Sequence, residues 1–259
     1  MKHVKLWWLL VSKYTYFPIP QRWQAEPARL PQALALLPLT GLVAGLLNMA
    51  LVRYGWALPY RWLAALMLFG GLVTSGGWWL RDLLSVASGL KPPPMPPHLA
   101  ALTAEQAPPS PPPLRLNKGA LLTGCLYLLL QYGCFFLLLR LQAPLTVYVA
   151  AAVTARFVYL WGVYDFAAQE PAFLHRGFSR RDFQRSALTS LLLTAACAWP
   201  APLLLPALIP PLLAATLFYR GRLKSVGTLD EAAYGAAAAW SELLLYLSVM
   251  VLTNHGIFI

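Results

Sequence analysis

The chain has 259 residues, 59% of them hydrophobic and 11% charged, with a formal net charge of +11. A water-soluble domain of this length could not hide so much apolar surface in one core, so a lipid bilayer is the simpler solvent. Nor does the positive charge point to nucleic acid, because the basic residues lie between apolar runs instead of on one soluble face.

A crossing takes roughly 20 mostly apolar residues to span about 30 Å of hydrocarbon. Residues 1–11 are basic and apolar like a signal peptide, but Lys13 closes the run and no small-residue cleavage site follows, which predicts an interfacial helix. Crossings are expected over 33–51, 56–80, 119–139 and 144–164. The apolar stretch 186–218 is too long for one crossing and carries Pro200, Pro202 and Pro206 near its middle, which predicts two short helices with a turn between them. A last crossing is expected over 232–252. The whole chain, 1–259, therefore reads as a single all-α membrane domain, a polytopic bundle of about seven transmembrane helices, with no internal repeat in view.

Charge sets the expected orientation. Of 20 Lys and Arg residues, 16 fall in the N-terminal segment and in the segments after the second, fourth and sixth crossings. Only Arg53, Arg61 and Arg140 fall on the opposite side, and Arg156 lies inside the fourth crossing. The positive-inside rule then puts the N-terminus in the cytoplasm, and six crossings would break the alternation; the expected location is the inner (plasma) membrane. The loop 91–113 carries four proline runs and is expected to be cytoplasmic and mostly extended polyproline, interrupted by a short helix at 98–106. A spacer and a docking site for a proline-reading partner are both compatible with it. Cys125, Cys134 and Cys197 sit within crossings and read as small apolar packing residues, with no disulfide or metal site assigned.

Acidic residues are few, and three stand out: Asp82 at the end of the second crossing, Asp230 before the last, and Glu242 inside it. An ionisable group at membrane depth is functional or paired, and Arg156 is the obvious partner for Glu242. Asp165 lies on another face of the Arg156 helix. A pocket is expected where Asp82, Lys118, Asp165 and Asp230 reach the cytoplasmic ends of their helices, with Arg156 and Glu242 deeper. The histidines, His3, His98, His175 and His255, are scattered and form no metal cluster in sequence.

Several short runs carry a resemblance. Phe17-Pro18-Ile19-Pro20, then Leu37-Pro38-Leu39-Thr40-Gly41-Leu42-Val43-Ala44-Gly45, then Gly227-Thr228-Leu229-Asp230, Tyr234-Gly235-Ala236 and Ser241-Glu242-Leu243-Leu244 occur in this order along nearly the whole chain. Together they resemble cobalamin synthase, the adenosylcobinamide-GDP ribazoletransferase of bacteria and archaea. The resemblance implies that a ribazole phosphate displaces GMP from adenosylcobinamide-GDP at the cytoplasmic face, with Mg2+ held by an acidic motif. It implies catalytic roles for Asp82, Asp230 and Glu242, metal binding at Asp82, and phosphate binding by Lys118, Arg156, Arg180 and Arg181.

The acidic motif is where the chain departs. Gly70-Gly71-Leu72 and Gly76 match the family's Gly-Gly-Leu-His-x-Asp-Gly signature, but Val73 replaces its histidine and Ser75 its aspartate. Trp79 stands at the second aspartate and only Asp82 falls on the third. Losing two of three clustered carboxylates removes most of the charge that binds a divalent ion. A diverged transferase, a non-catalytic member binding cobamide intermediates or a partner enzyme, and a small-molecule transporter all remain open, as does a homo-oligomer. The orientation is checked by thiol labelling of single cysteines placed at Gln142 and Ser179, which are expected to react from opposite sides of the membrane; labelling from one side would mean a wrong count.

Overall fold

The computed structural model describes residues 2–15, 19–23, 25, 29–89, 117–166, 178–226, 229 and 231–254. The proline-rich loop 91–113, its expected helix at 98–106, Asp230 and the C-terminal 255–259 lie outside the described residues. Among the described residues all regular structure is helical.

In chain order the helices are α1 (Lys2–Tyr14), α2 (Leu30–Tyr54), α3 (Tyr60–Thr74), α4 (Trp78–Ala87) and α5 (Lys118–Arg140). They continue with α6 (Thr146–Phe166), α7 (Arg180–Ala198), α8 (Leu204–Val226) and α9 (Glu231–Asn254). Five of them, α2, α5, α6, α8 and α9, are long and apolar enough to cross a membrane, and the α3–α4 pair would make a sixth.

The expected crossing at 56–80 is not one straight helix. It breaks after Thr74, and α4 leaves at 86° to α3. Gly76 and Gly77 have φ of 61° and 63°, a region where a Cβ is costly, and this is what turns the chain. The bend closes on itself, since the amides of Gly76 and Gly77 donate to the carbonyls of Val73 and Leu72. Beyond it α4 is amphipathic and buries Trp79 and Leu83 against α5 and α9.

The stretch 186–218 does divide at its prolines: α7 ends at Ala198 and α8 begins at Leu204, with Pro200 and Pro202 in the turn. α7 is not among the five because its first turns carry Arg180, Arg181, Asp182 and Arg185. Only 186–198 are free of charge, about 20 Å of helix. Its start is fixed by a capping box in which the Ser179 side chain and the Asp182 backbone, and the Asp182 side chain and the Ser179 backbone, satisfy each other. α5 starts on Asn117, whose side chain accepts from the Ala120 amide at 2.7 Å and donates to the Ser88 carbonyl, tying α5 to the end of α4.

α6 is the centre of the bundle, buried along nearly its whole length and packed chiefly on α2, α9 and α7. Alanines at 150–152 and 155 on α6 and at 236–239 on α9 are buried and let the two backbones approach, the usual way helices associate in lipid. On α2 the small residue is Gly45, where a Cβ would run into the backbone of Tyr148 and Val149. Outward faces are apolar: Leu122 and Leu129 of α5 and Leu213 and Leu217 of α8 are exposed. The cysteines are all free thiols within helices.

Gly45→Val is expected to lower stability by about 1–3 kcal/mol through overpacking of the α2–α6 contact. Gly133→Ala, where a Cβ would meet nothing within 4 Å, is expected to be neutral or slightly stabilising. Thermal unfolding of the purified variants in one detergent checks the contrast, and equal effects would mean that the α2–α6 contact is not tight.

Candidate functional site

Two polar clusters stand out, one buried in the interior and one at an end of the bundle, where its ion pair is exposed. The deeper one is built on Arg156 of α6 and Glu242 of α9, which are 3% and 7% exposed. Their closest approach is 3.8 Å, from the Arg156 Nη1 to the Glu242 Oε2. Arg156 Nη1 also donates to the Ala152 carbonyl one turn earlier at 3.1 Å, and the guanidinium lies 4.0 Å from the centre of the Trp79 ring. The Tyr246 hydroxyl donates to the other oxygen of Glu242 at 3.1 Å. An unpaired charge at this depth would be expensive, and the pair, the ring and the hydroxyl offset that cost.

Beside the pair is a cavity of about 30 Å³ lined by Asn48, Ser75, Trp79, Gln131, Arg156 and Glu242, among others. Three buried polar atoms at its wall have no hydrogen-bond partner: Asn48 Oδ1, Trp79 Nε1 and Arg156 Nε. Such groups are normally satisfied, and at roughly 10–15 Å³ per water this volume holds about two water molecules, not a nucleotide.

The second cluster lies where α1, α4, α6 and the start of α9 meet. Lys13 approaches Glu231 at 3.6 Å, and the Tyr159 hydroxyl donates to Glu231 at 3.3 Å. The Tyr14 and Tyr159 oxygens are 3.4 Å apart. Since the single proton of Tyr159 goes to Glu231, Tyr14 donates to Tyr159. Burial first, and the Glu231 carboxylate second, push the Tyr14 hydroxyl well above its ordinary value, so it stays a neutral donor. Trp78 stands edge-on to both tyrosines at 5.1 and 5.2 Å. Asp82 of α4 is half-buried and its carboxylate lies against the backbone of Gly235, where a Cβ would overlap it.

The residues expected at one pocket are therefore only partly gathered. Asp82 is inside, in the second cluster's neighbourhood, while Lys118 is exposed in the first turn of α5. Asp165 is exposed and accepts from the Trp161 ring N–H of its own helix. Arg180 and Arg181 are exposed in the first turn of α7, which packs on α6 and α2, whereas α4 packs on α9 and α5. Asp230 lies outside the described residues. Neither Glu231, Lys13, Tyr14 and Tyr159 nor Asn48 and Gln131 were singled out from sequence. The last two carried the one usable signal, an amide side chain within an apolar crossing.

The donor set does not fit the three-acid Mg2+ site that the resemblance implies. From the α3–α4 bend come the Ser75 hydroxyl, which donates to the Leu72 carbonyl at 3.4 Å, the Trp79 indole, and the single carboxylate of Asp82. Among the described residues no three His, Cys, Asp or Glu side chains come together as metal ligands. No family model matches the chain, and no curated protein and no solved structure matches it.

Removing either member of the deep pair alone, Arg156→Leu or Glu242→Leu, is expected to destabilise the protein by about 3–5 kcal/mol, while the double change costs much less than the sum. Thermal unfolding of the four proteins in a double-mutant cycle checks this, and additive effects would show that the two residues are not coupled.

Proposed function

We propose that this chain is a diverged membrane protein of the cobalamin synthase type. In this reading it binds adenosylcobinamide-GDP and ribazole phosphate, the last intermediates of cobalamin assembly, without the family's Mg2+-dependent displacement of GMP. The supporting observation is where the motif positions fall. The bend between α3 and α4 turns Ser75, Trp79 and Asp82 toward α6 and α9, where Arg156, Glu242 and Glu231 stand. A metal-dependent transferase would use that convergence to hold a cation between carboxylates and phosphates. Here an indole stacks on Arg156 in place of one acid and a hydroxyl takes the place of another. Arg156 stands beside the bend, and two of the three acids that would hold the metal are absent.

Substrate of this size does not enter the 30 Å³ cavity, so binding is assigned to the end of the bundle formed by α1, α4 and the start of α9. That end is taken as cytoplasmic on the charge distribution. We also read α7 as a seventh crossing, because Leu188, Leu191 and Leu192 are exposed along its outer face as lipid-facing residues would be. With the charge distribution, this reading has the N-terminus in the cytoplasm, and the family resemblance supports the inner membrane. A second reading, passage of a small polar solute, draws on one observation: an interrupted helix beside a polar cavity at membrane depth is a common transporter arrangement.

Two measurements test the first reading. Purified protein is expected to bind adenosylcobinamide-GDP with quenching of tryptophan fluorescence, since Trp78 packs on Tyr14 and Tyr159 at that end. In a strain lacking its own cobalamin synthase, the unaltered chain is expected to give no growth that depends on cobalamin assembly, and growth is expected only from the double change Ser75→Asp and Trp79→Asp. Robust growth from the unaltered chain, or no binding, overturns the proposal.

A further inference from the structure

A groove of about 420 Å³ runs between α1, α2 and the start of α7, away from both polar clusters. One wall is apolar, formed by Leu6, Ala35 and Leu36, and the other carries Gln32 and Arg185. Arg185 is exposed, and no acidic side chain among the described residues pairs with it. Asp182 also borders the groove, but its carboxylate accepts from the Ser179 amide and hydroxyl at 3.2 and 2.7 Å. It is committed to the cap, where the positive end of the α7 dipole offsets its charge.

The depth of the groove is legible on two of its helices. Along α7 the charged turns end at Arg185, and exposed Leu188, Leu191 and Leu192 follow, so Arg185 stands where an aqueous surface gives way to hydrocarbon. On the α1 side, Trp8 and Trp23 pack at 6.1 Å with Trp23 half exposed and the Arg22 guanidinium over its ring. Aromatic rings and arginines at this level are the mark of a membrane interface. A cation with no acidic partner among the described residues, an amide donor and an apolar wall at headgroup depth complement an amphiphile with a phosphate head.

We propose that this groove binds an anionic phospholipid, with Arg185 and Gln32 on the phosphate and Leu6 and Leu36 against the glycerol and upper acyl carbons. The assignment is independent of any role in cobalamin assembly. It is tested on the full chain purified in mild detergent and stripped of lipid, then titrated with phosphatidylglycerol, phosphatidylcholine, inorganic phosphate or glycerol phosphate and read by native mass spectrometry and thermal unfolding. One phosphatidylglycerol is expected to be retained per chain in preference to phosphatidylcholine, with a raised unfolding temperature. Arg185→Gln is expected to weaken its binding about fivefold, the effect of one basic group at a membrane surface, while Arg185→Lys keeps most of it. Arg220→Gln, an exposed arginine of α8 outside the groove, is expected to change nothing. Equal retention of the two lipids, an unchanged Arg185→Gln protein, an equal loss in Arg220→Gln, or protection by inorganic phosphate or glycerol phosphate to the level of the lipid each overturns the proposal.

Discussion

The burial of one arginine organises this bundle. Arg156 sits on the central helix, and each neighbour has had to accommodate it. α9 brings Glu242 to it, α4 lays the Trp79 ring against its guanidinium, and α2 offers Gly41, where a Cβ would stand 3.0 Å from the arginine Cδ. In hydrocarbon such a charge is tolerated only with partners on several sides, so three helices must keep their registers together. That requirement explains why α4 lies across the bundle: a straight continuation of α3 could not carry Trp79 to α6, and the Gly76-Gly77 turn is what redirects it.

From this pair, polar groups continue along the α6–α9 interface. Tyr246 bonds Glu242 on one side, and toward the α1 end Tyr159, Tyr14, Glu231 and Lys13 form a second set of contacts. The Arg156 set sits among alanines and aromatic rings, so water reaches it poorly and each hydrogen bond counts for more than it would at a surface, whereas Lys13 and Glu231 of the second set are exposed. Three unsatisfied atoms cluster around the small cavity, and they mark a place where the interior needs solvent or solute to be complete.

The resemblance to cobalamin synthase and the interior geometry meet at one point, the α3–α4 bend. On the proposed reading, Gly76 of the turn matches the family signature, and Ser75 and Trp79 stand where that signature has acids. A ring stacked on Arg156 is a packing solution, stabilising the cation without creating a metal site. The proposed binding at the α1 end and the proposed lipid against α7 rest on different residues, and each stands on its own.

Much of the architecture was legible along the chain. Apolar runs of crossing length, proline at the α7–α8 turn and the pairing expected for Arg156 and Glu242 follow from local composition and from the cost of charge in lipid, which act whatever the neighbours are. The break after Thr74 was less legible, because glycines inside an apolar run occur both in straight packed helices and in turns. The second cluster could not be found from sequence at all. Lys13, Tyr14, Tyr159 and Glu231 lie on three elements, and nothing in their spacing ties them together until the bundle closes. Lys118, Arg180 and Arg181 show the converse: their charge suits phosphate, but exposure on separate helix starts is decided by packing. Composition and periodicity determined that the chain forms apolar helices with a buried charge pair. Only the tertiary structure decided which polar side chains share an interior, because that depends on helix rotation and on an 86° bend that no local rule specifies.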